Sequence, residues 1–385
     1  MKKIAVLIPD FFWSSIPYDG LSLFYFLSKK FNCDLMMFVD DIRLNKSIFF
    51  DYQKYYFDNK EFCQNTKLIK LNDWNGFYEK SKEYDLIISN VHLAPKGERA
   101  ELLSNFNSNI QCKFMTIDIG GSDVLTQYKR GNYFCVKGPI WKTWLEKMGV
   151  DSKFVFNTGS PHYDLYHTKP KPEACNGLSS IKFHDKYKLN SKKKKLLIAP
   201  SNPSSHQNQF TKNLNQIQDL YNLAVVKGYE VLIKTYPNDY VFYDEQKIYT
   251  GIYKRSYSRH RPQYEIIKKL IPEATVIDSQ DHFIALTCSD KLFNMSGSHF
   301  AWETIFTKTK SYSMNYKNQS YYGGASYLPD FVKLPDEFVN ININKIEDIF
   351  NDGLDCDKQK CLEYINKSFS LPNISNAVET VLTYE

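Results

Sequence analysis

Late in the chain, the apolar run Lys291-Leu292-Phe293 gives way to Asn294-Met295-Ser296-Gly297-Ser298-His299-Phe300-Ala301-Trp302-Glu303, a small hydroxyl-rich turn leading into a helical pattern. Backbone N–H groups and two serine hydroxyls gathered at a helix start form an anion site, because the first helical N–H groups have no intrahelical acceptor. Glu303 follows His299 by four residues, so both fall on one helix face. A phosphate grip with a carboxylate one turn deeper suits a nucleoside diphosphate. The turn takes the phosphates and Glu303 the ribose hydroxyls. The same residues also read as a serine-capped helix carrying a solvated glutamate.

Five other strand-like runs end in residues that can do chemistry. Lys234-Thr235-Tyr236-Pro237 closes an apolar run, and the proline halts the strand so that Lys234 points a cation at its mouth. A diphosphate there would be partly neutralised, which helps a nucleotide leave. Ala199-Pro200-Ser201 ends another run and offers donors from Ser201 onward, with His206 more simply a loop histidine. Ile117-Asp118-Ile119-Gly120-Gly121-Ser122-Asp123 pairs glycines, which admit close backbone approach, with two carboxylates. Asp118 or Asp123 can hold an acceptor hydroxyl or act as general base, or the segment is a plain turn with an Asp cap. Near the start, Pro9-Asp10-Phe11-Phe12-Trp13 and Tyr18-Asp19-Gly20 set aromatic rings beside carboxylates, as a sugar-binding face requires. Thr158-Gly159-Ser160 offers a further set of backbone donors, or a turn without chemistry.

These turns must be carried by strands, and the sequence supplies them in alternation with helices. In the first half, apolar runs at Ile4 to Ile8, Asp34 to Val39, Tyr84 to Ser89, Phe114 to Ile119, Tyr133 to Val136 and Lys153 to Asn157 alternate with helical patterns at Gly20 to Lys30 and Ile140 to Met148. The alternation restarts at Lys195 and runs through Glu230 to Lys234, Ala274 to Ile277, Lys291 to Asn294 and Ser311 to Met314, ending in a helical tail. Short apolar strands between helices predict parallel sheets covered on both faces. The expected architecture is α/β: two doubly wound, Rossmann-like domains facing a central cleft, with C-terminal helices. Residues 1–167 form the acceptor domain, the Pro- and Lys-rich stretch 168–194 a linker, and 195–385 the donor domain with the terminal helices. Ligands then bind at the carboxyl ends of strands.

Composition narrows the function classes. With 385 residues, 43% hydrophobic and 24% charged, the chain is globular and large enough for two cores. No stretch reaches the roughly 18 consecutive apolar residues of a membrane span. The eight cysteines are scattered without metal-ligand spacing, which predicts a reduced, cytoplasmic protein without structural metal. Net charge is +6, and the basic clusters at Lys192 to Lys195 and Lys254 to Arg261 lack interleaved aromatics, so no nucleic-acid partner is predicted. Peripheral contact with an anionic membrane face is the lesser reading of those clusters.

In order, Gly121-Ser122-Asp123, Gly159-Ser160-Pro161-x-x-Asp164, Lys234-x-x-Pro237, Asp278-x-x-Asp281, Ser289-Asp290 and Ser296-x-Ser298 with Glu303 resemble GT-B-fold glycosyltransferases of bacterial surface-polysaccharide synthesis, in particular the Kdo-transferase-like and CDP-glycerol glycerophosphotransferase-like groups. The resemblance covers about residues 110–315. Many such proteins carry His-Pro where this chain has Tyr236-Pro237, making Tyr236 the stand-in. The resemblance implies transfer of a sugar from a nucleotide-sugar donor to a glycan or lipid-linked acceptor, without metal or other cofactor. It implies that Ser296, Gly297, Ser298 and His299 hold the phosphates, that Glu303 holds the ribose, that Lys234 meets the leaving diphosphate and that Asp123, Asp118 or Asp19 is the base. A polyol-phosphate transferase using a CDP-alditol, a sugar-nucleotide epimerase of the same architecture, and a non-catalytic nucleotide-binding module are the alternatives.

Overall fold

The structure, a computed structural model, describes residues 2–8, 23–38, 66–71, 73–90, 108–117, 133–164, 179–200, 207–234, 263–277, 281–295, 300–314 and 340–384, apart from 25, 148, 162, 364, 366 and 367. The chain divides into two compact units. Among the described residues the first holds those up to 164 and those from 365 onward, and the second those from 179 to 363.

The first unit is built on seven parallel strands: β1 (Lys3–Ile8), β2 (Asn32–Phe38), β3 (Leu68–Leu71), β4 (Leu86–Asn90), β5 (Lys113–Ile117), β6 (Tyr133–Val136) and β7 (Val155–Asn157). They lie in the order β3-β2-β1-β4-β5-β6-β7. The second unit has β8 (Lys195–Ala199), β9 (Glu230–Lys234), β10 (Thr275–Ile277), β11 (Lys291–Asn294), β12 (Lys310–Met314) and β13 (Asn340–Ile343), in the order β10-β9-β8-β11-β12-β13. Both sheets therefore run outward from their first strand and then reverse. That doubly wound order leaves a crevice at the switch point, between β1 and β4 in one sheet and between β8 and β11 in the other. Every pairing is parallel, including Lys291↔Leu196 through Asn294↔Ala199 at the second switch point.

Helices cover the faces. They are α1 (Trp74–Ser81), α2 (Pro139–Lys147), α3 (Ser180–Tyr187), α4 (Gln207–Val226), α5 (Gln263–Leu270), α6 (His282–Cys288), α7 (Phe300–Glu303), α8 (Lys358–Cys361) and α9 (Ser370–Thr383). Strands buried on both faces read as unbroken apolar runs, and Leu196, Leu197 and Ile198 are fully buried for that reason. Among the described residues no helix is long and apolar enough to cross a membrane.

Two placements differ from the sequence expectation. The stretch read as a linker contains α3, whose Phe183 is buried against Leu197, Leu232 and Leu286 of the second unit. Ser179 caps it by accepting from the Lys182 N–H, and Phe183 and Tyr187 share one face; the surrounding lysines and prolines masked that signal. The last helix, α9, was expected in the second domain and instead packs in the first. Its Leu371, Ile374, Val378 and Val381 join Ile4, Leu35 and Met115 in one core. The carboxylate of Asp164 fixes its start, accepting from the Ser370 N–H (2.7 Å), the Ser370 hydroxyl (2.7 Å) and the Leu371 N–H (3.0 Å). The Lys113 ammonium donates to the Val381 and Tyr384 carbonyls at its other end. An anion at the N-terminus and a cation at the C-terminus both suit the helix dipole.

Candidate functional site

The site lies at the carboxyl ends of the second sheet. β9 and β11 flank β8, which brings the end of β9 and the helix after β11 together over the end of β8. β9 buries Val231, Leu232 and Ile233 and ends on Lys234, whose apolar stem continues the strand while its ammonium reaches the strand mouth. Beyond β11, α7 opens with Phe300 and closes with Glu303 one turn later. The Lys234 ammonium sits 5.0 Å from the centroid of the Phe300 ring, on its face. Burial pulls that ammonium down to about 8, while the Glu303 carboxylate acts in the opposite sense. Among the described residues, Lys234 donates no hydrogen bond to any carbonyl or carboxylate.

Glu303 is only 3% exposed, a costly place for a carboxylate without compensation. Its Oε2 lies 3.8 Å from Nε2 of His282, itself 5% exposed. The His282 ring also meets Phe300 edge-on, with centroids 5.9 Å apart. Lys234, Phe300, His282 and Glu303 thus form one group drawn from the ends of three elements. A carboxylate held this way accepts hydrogen bonds from neighbouring hydroxyls such as those of a ribose, and the ammonium offers charge to a phosphate.

The surroundings hold this group in place. Asp281, just ahead of α6, accepts from the Lys186 ammonium (2.7 Å) and the Tyr187 hydroxyl (2.5 Å), which anchors the helix at His282. Behind α7, the Lys358 ammonium donates to the carbonyls of Thr304 (2.8 Å), Thr307 (2.8 Å) and Thr309 (2.7 Å). The Thr309 hydroxyl in turn donates to the Leu286 and Ser289 carbonyls, joining the end of α6 to the segment after α7.

Of the residues singled out in the sequence, the structure brings Lys234 and Glu303 together. Asp19, Asp118, Asp123, Ser201, Tyr236, Ser296, Gly297, Ser298 and His299 lie outside the described residues. The strands they follow in the chain are β1, β5, β8, β9 and β11. Thr158-Gly159-Ser160 does not offer the donors expected of it: the N–H groups of Thr158 and Gly159 both donate to the Val136 carbonyl, at 3.1 Å each. Gly159, at φ +85°, makes that turn. Asp164 of the same motif is the α9 cap, and Ser289-Asp290 ties strand starts together through Asp290 accepting from the Lys195 N–H (2.9 Å). Sequence reasoning missed His282 and Phe300. A histidine opening the helix that follows β10, in a chain with only eight histidines, was the available signal for the first.

No family model matches the chain, and no curated protein matches its sequence. Solved structures do. A Listeria monocytogenes protein assigned as a UDP-N-acetylglucosamine 2-epimerase superposes with a TM-score of 0.62 at 12% identity, covering 100% of this chain and 97% of the other. The Neisseria meningitidis UDP-GlcNAc 2-epimerase, solved with UDP-GlcNAc bound, gives 0.60 at 12% identity and 100% coverage of both chains. The glycotransferase of kitacinnamycin gives 0.50 at 9% identity, covering 99% and 100%. At these identities the similarity establishes the fold, a two-domain α/β architecture of the GT-B type.

Proposed function

We propose that this chain is an enzyme acting on a nucleotide-activated sugar, and that its reaction is epimerisation at C2 of a UDP-N-acetylhexosamine. The carrying observation is the half-buried Lys234 side chain, whose ammonium has no hydrogen-bond acceptor among the described residues and is set near buried Glu303 at the carboxyl end of the sheet. Such a pair suits a nucleoside diphosphate: Lys234 meets the diphosphate and Glu303 the ribose hydroxyls. The full-length similarity to UDP-GlcNAc 2-epimerases supports the choice of chemistry.

The hydrogen at C2 is not acidic while C1 keeps its substituent, so inversion at C2 is coupled to departure of the diphosphate. The C1–O bond breaks, the C2 proton passes to a protein base, and a C1=C2 double bond forms. Reprotonation of C2 on the opposite face and re-addition of the same UDP restore a nucleotide sugar with C2 inverted. Lys234 neutralises the charge that develops on the departing diphosphate. Asp19, Asp118 and Asp123, each following a strand of the first unit, are the candidate proton carriers.

Sugar transfer to a glycan or lipid-linked acceptor is the second reading, supported by the order of motifs from Gly121 to Glu303. It shares the departure of the diphosphate and differs in what attacks C1. UDP-GlcNAc in deuterium oxide, without acceptor, separates the two by proton NMR. Epimerisation predicts deuterium at C2 and appearance of the C2 epimer. UDP released only when an acceptor is added decides for transfer, and failure to bind any nucleotide defeats both.

A further inference from the structure

At the end of the second sheet away from Lys234 and Glu303, folding gathers cations that the surrounding chain does not neutralise. Of the basic clusters in the sequence, Lys254 to Arg261 lies outside the described residues, and Lys195 is buried, donating to backbone carbonyls. Lys192, Lys193 and Lys194 remain, exposed in the turn before β8. The Glu230 N–H donates to the Lys194 carbonyl (2.9 Å), and the Asn190 N–H donates to the Glu230 carboxylate (2.9 Å). Those bonds bring the turn beside the segment that leaves α4 and enters β9, Val225-Val226-Lys227-Gly228-Tyr229. Among the described residues three large apolar side chains are exposed, and two of them are here: Val225 at 50% and Val226 at 81%. α4 packs through Ile217, Leu220 and Ala224, so neither valine serves the core. Lys227, next in the chain, is exposed as well.

Three acids at this end are engaged already. Glu230 also lies 3.7 Å from the Lys195 ammonium, Asp290 pairs with Lys308 (3.2 Å), and Asp352 pairs with Lys291 (3.1 Å) and Lys194 (4.0 Å). Exposed Glu273 precedes β10, at the outer edge of the sheet. The ammonium groups of Lys192, Lys193 and Lys227 form no hydrogen bond or ion pair among the described residues. An excess of cations around an exposed apolar pair complements a surface that is anionic outside and apolar beneath. A nucleic acid would need exposed rings, whereas Tyr229 is half-buried against Phe350, with centroids 5.3 Å apart.

We propose that this end of the second unit is a peripheral docking surface for an anionic membrane: Val225 and Val226 enter the headgroup layer while Lys192, Lys193, Lys194 and Lys227 meet lipid phosphates. Lys234 and Glu303 follow the carboxyl ends of β9 and β11, at the opposite end of the sheet, so docking leaves the nucleotide site uncovered. Docking of this kind is independent of which reaction the site performs.

The test is co-sedimentation of the full chain with phosphatidylcholine vesicles and with vesicles that also contain phosphatidylglycerol. Wild type is expected to bind the anionic vesicles, to ignore the neutral ones, and to be released at about 1 M salt, where the screening length falls to about 3 Å. The Lys192→Gln/Lys193→Gln/Lys227→Gln variant should bind about 100-fold more weakly, at about fivefold per lysine. Val225→Ser/Val226→Ser should lose about tenfold. Both variants should keep the wild-type urea midpoint and UDP response, since every substituted side chain is exposed and lies at the far end of the sheet from the site. Absence of wild-type binding to the anionic vesicles, or binding unchanged in either variant, overturns the docking surface. Lysine-dependent binding to poly-glutamate without binding to vesicles overturns it in favour of an acidic protein partner.

Discussion

The two ends of the second sheet use lysine in opposite ways. At the strand starts, buried Lys291 donates to the Tyr312 hydroxyl (3.2 Å), the Ile349 carbonyl (2.8 Å) and Asp352 (3.1 Å). Buried Lys195, beside it in the sheet, donates to the carbonyls of Asn190 and Lys193 at 2.9 Å each and lies 3.7 Å from Glu230. Each of these ammonium groups donates to at least two acceptors and serves as a clamp. At the strand ends, Lys234 rests on an aromatic face beside a carboxylate, with no hydrogen-bond acceptor among the described residues. Desolvating a charge without hydrogen bonds costs stability, which makes the Lys234 position a candidate for chemistry rather than architecture.

The contrast predicts opposite signs for the same substitution. Lys291→Met orphans a buried carbonyl and hydroxyl and is expected to lower stability by about 3 kcal/mol, read as a fall in the urea midpoint, with nucleotide affinity nearly unchanged in the folded fraction. Lys234→Met is expected to weaken UDP about 100-fold, roughly 2.7 kcal/mol, while stability stays level or rises. A destabilised Lys234→Met protein with wild-type UDP affinity would erase the distinction between the two ends.

Titration sharpens the same comparison. The Lys234 ammonium has a folded value of about 8, below its ordinary 10.5. Above about 8 the free protein loses the cation, so UDP affinity is expected to fall about tenfold per pH unit there. Stability moves the other way. Between about 8 and 10.5 the unfolded chain binds more protons at this residue than the folded chain, so raising pH across that window favours folding. Below about 8 both states hold the proton and the burial penalty is constant. Urea midpoints of wild type and Lys234→Met across pH 7–10 check the sign: the wild type should gain on the variant as pH rises.

The smallest effect is a control outside the comparison. Asp164→Asn removes the charge that caps α9 and is expected to cost the first unit about 1 kcal/mol. UDP affinity in calorimetry should not change, because that carboxylate is spent on Ser370 and Leu371.

Much of the fold was legible because buried parallel strands are apolar on both faces and stand out between helices, as Glu230–Lys234 and Lys291–Asn294 do to the residue. β3 and β13 were missed. Leu68-Ile69-Lys70-Leu71 and Asn340-Ile341-Asn342-Ile343 are four residues each and too polar to read as strands alone. Neighbours stabilise them: the buried Ser311 hydroxyl donates to Asn340 Oδ1 at 2.6 Å, and the Ser313 hydroxyl to Asn342 Oδ1 at 3.1 Å. In the site, Lys234 and Glu303 were legible as polar residues following apolar strands. The closeness of His282 to Glu303, 21 positions later in the chain, was not, since nothing in the spacing places a helix start against the next but one.

By itself, the sequence determined the strands buried on both faces and the residues at their ends, because those properties arise from local periodicity and from chain-breaking residues. Tertiary structure alone decided that α9 returns to the first sheet, that Thr158 and Gly159 spend their donors on Val136, and that buried Lys291 is clamped by acceptors while half-buried Lys234 meets none among the described residues. An apolar helix face needs a partner but does not name it, and a lysine's role is fixed by the acceptors that folding brings within reach of it.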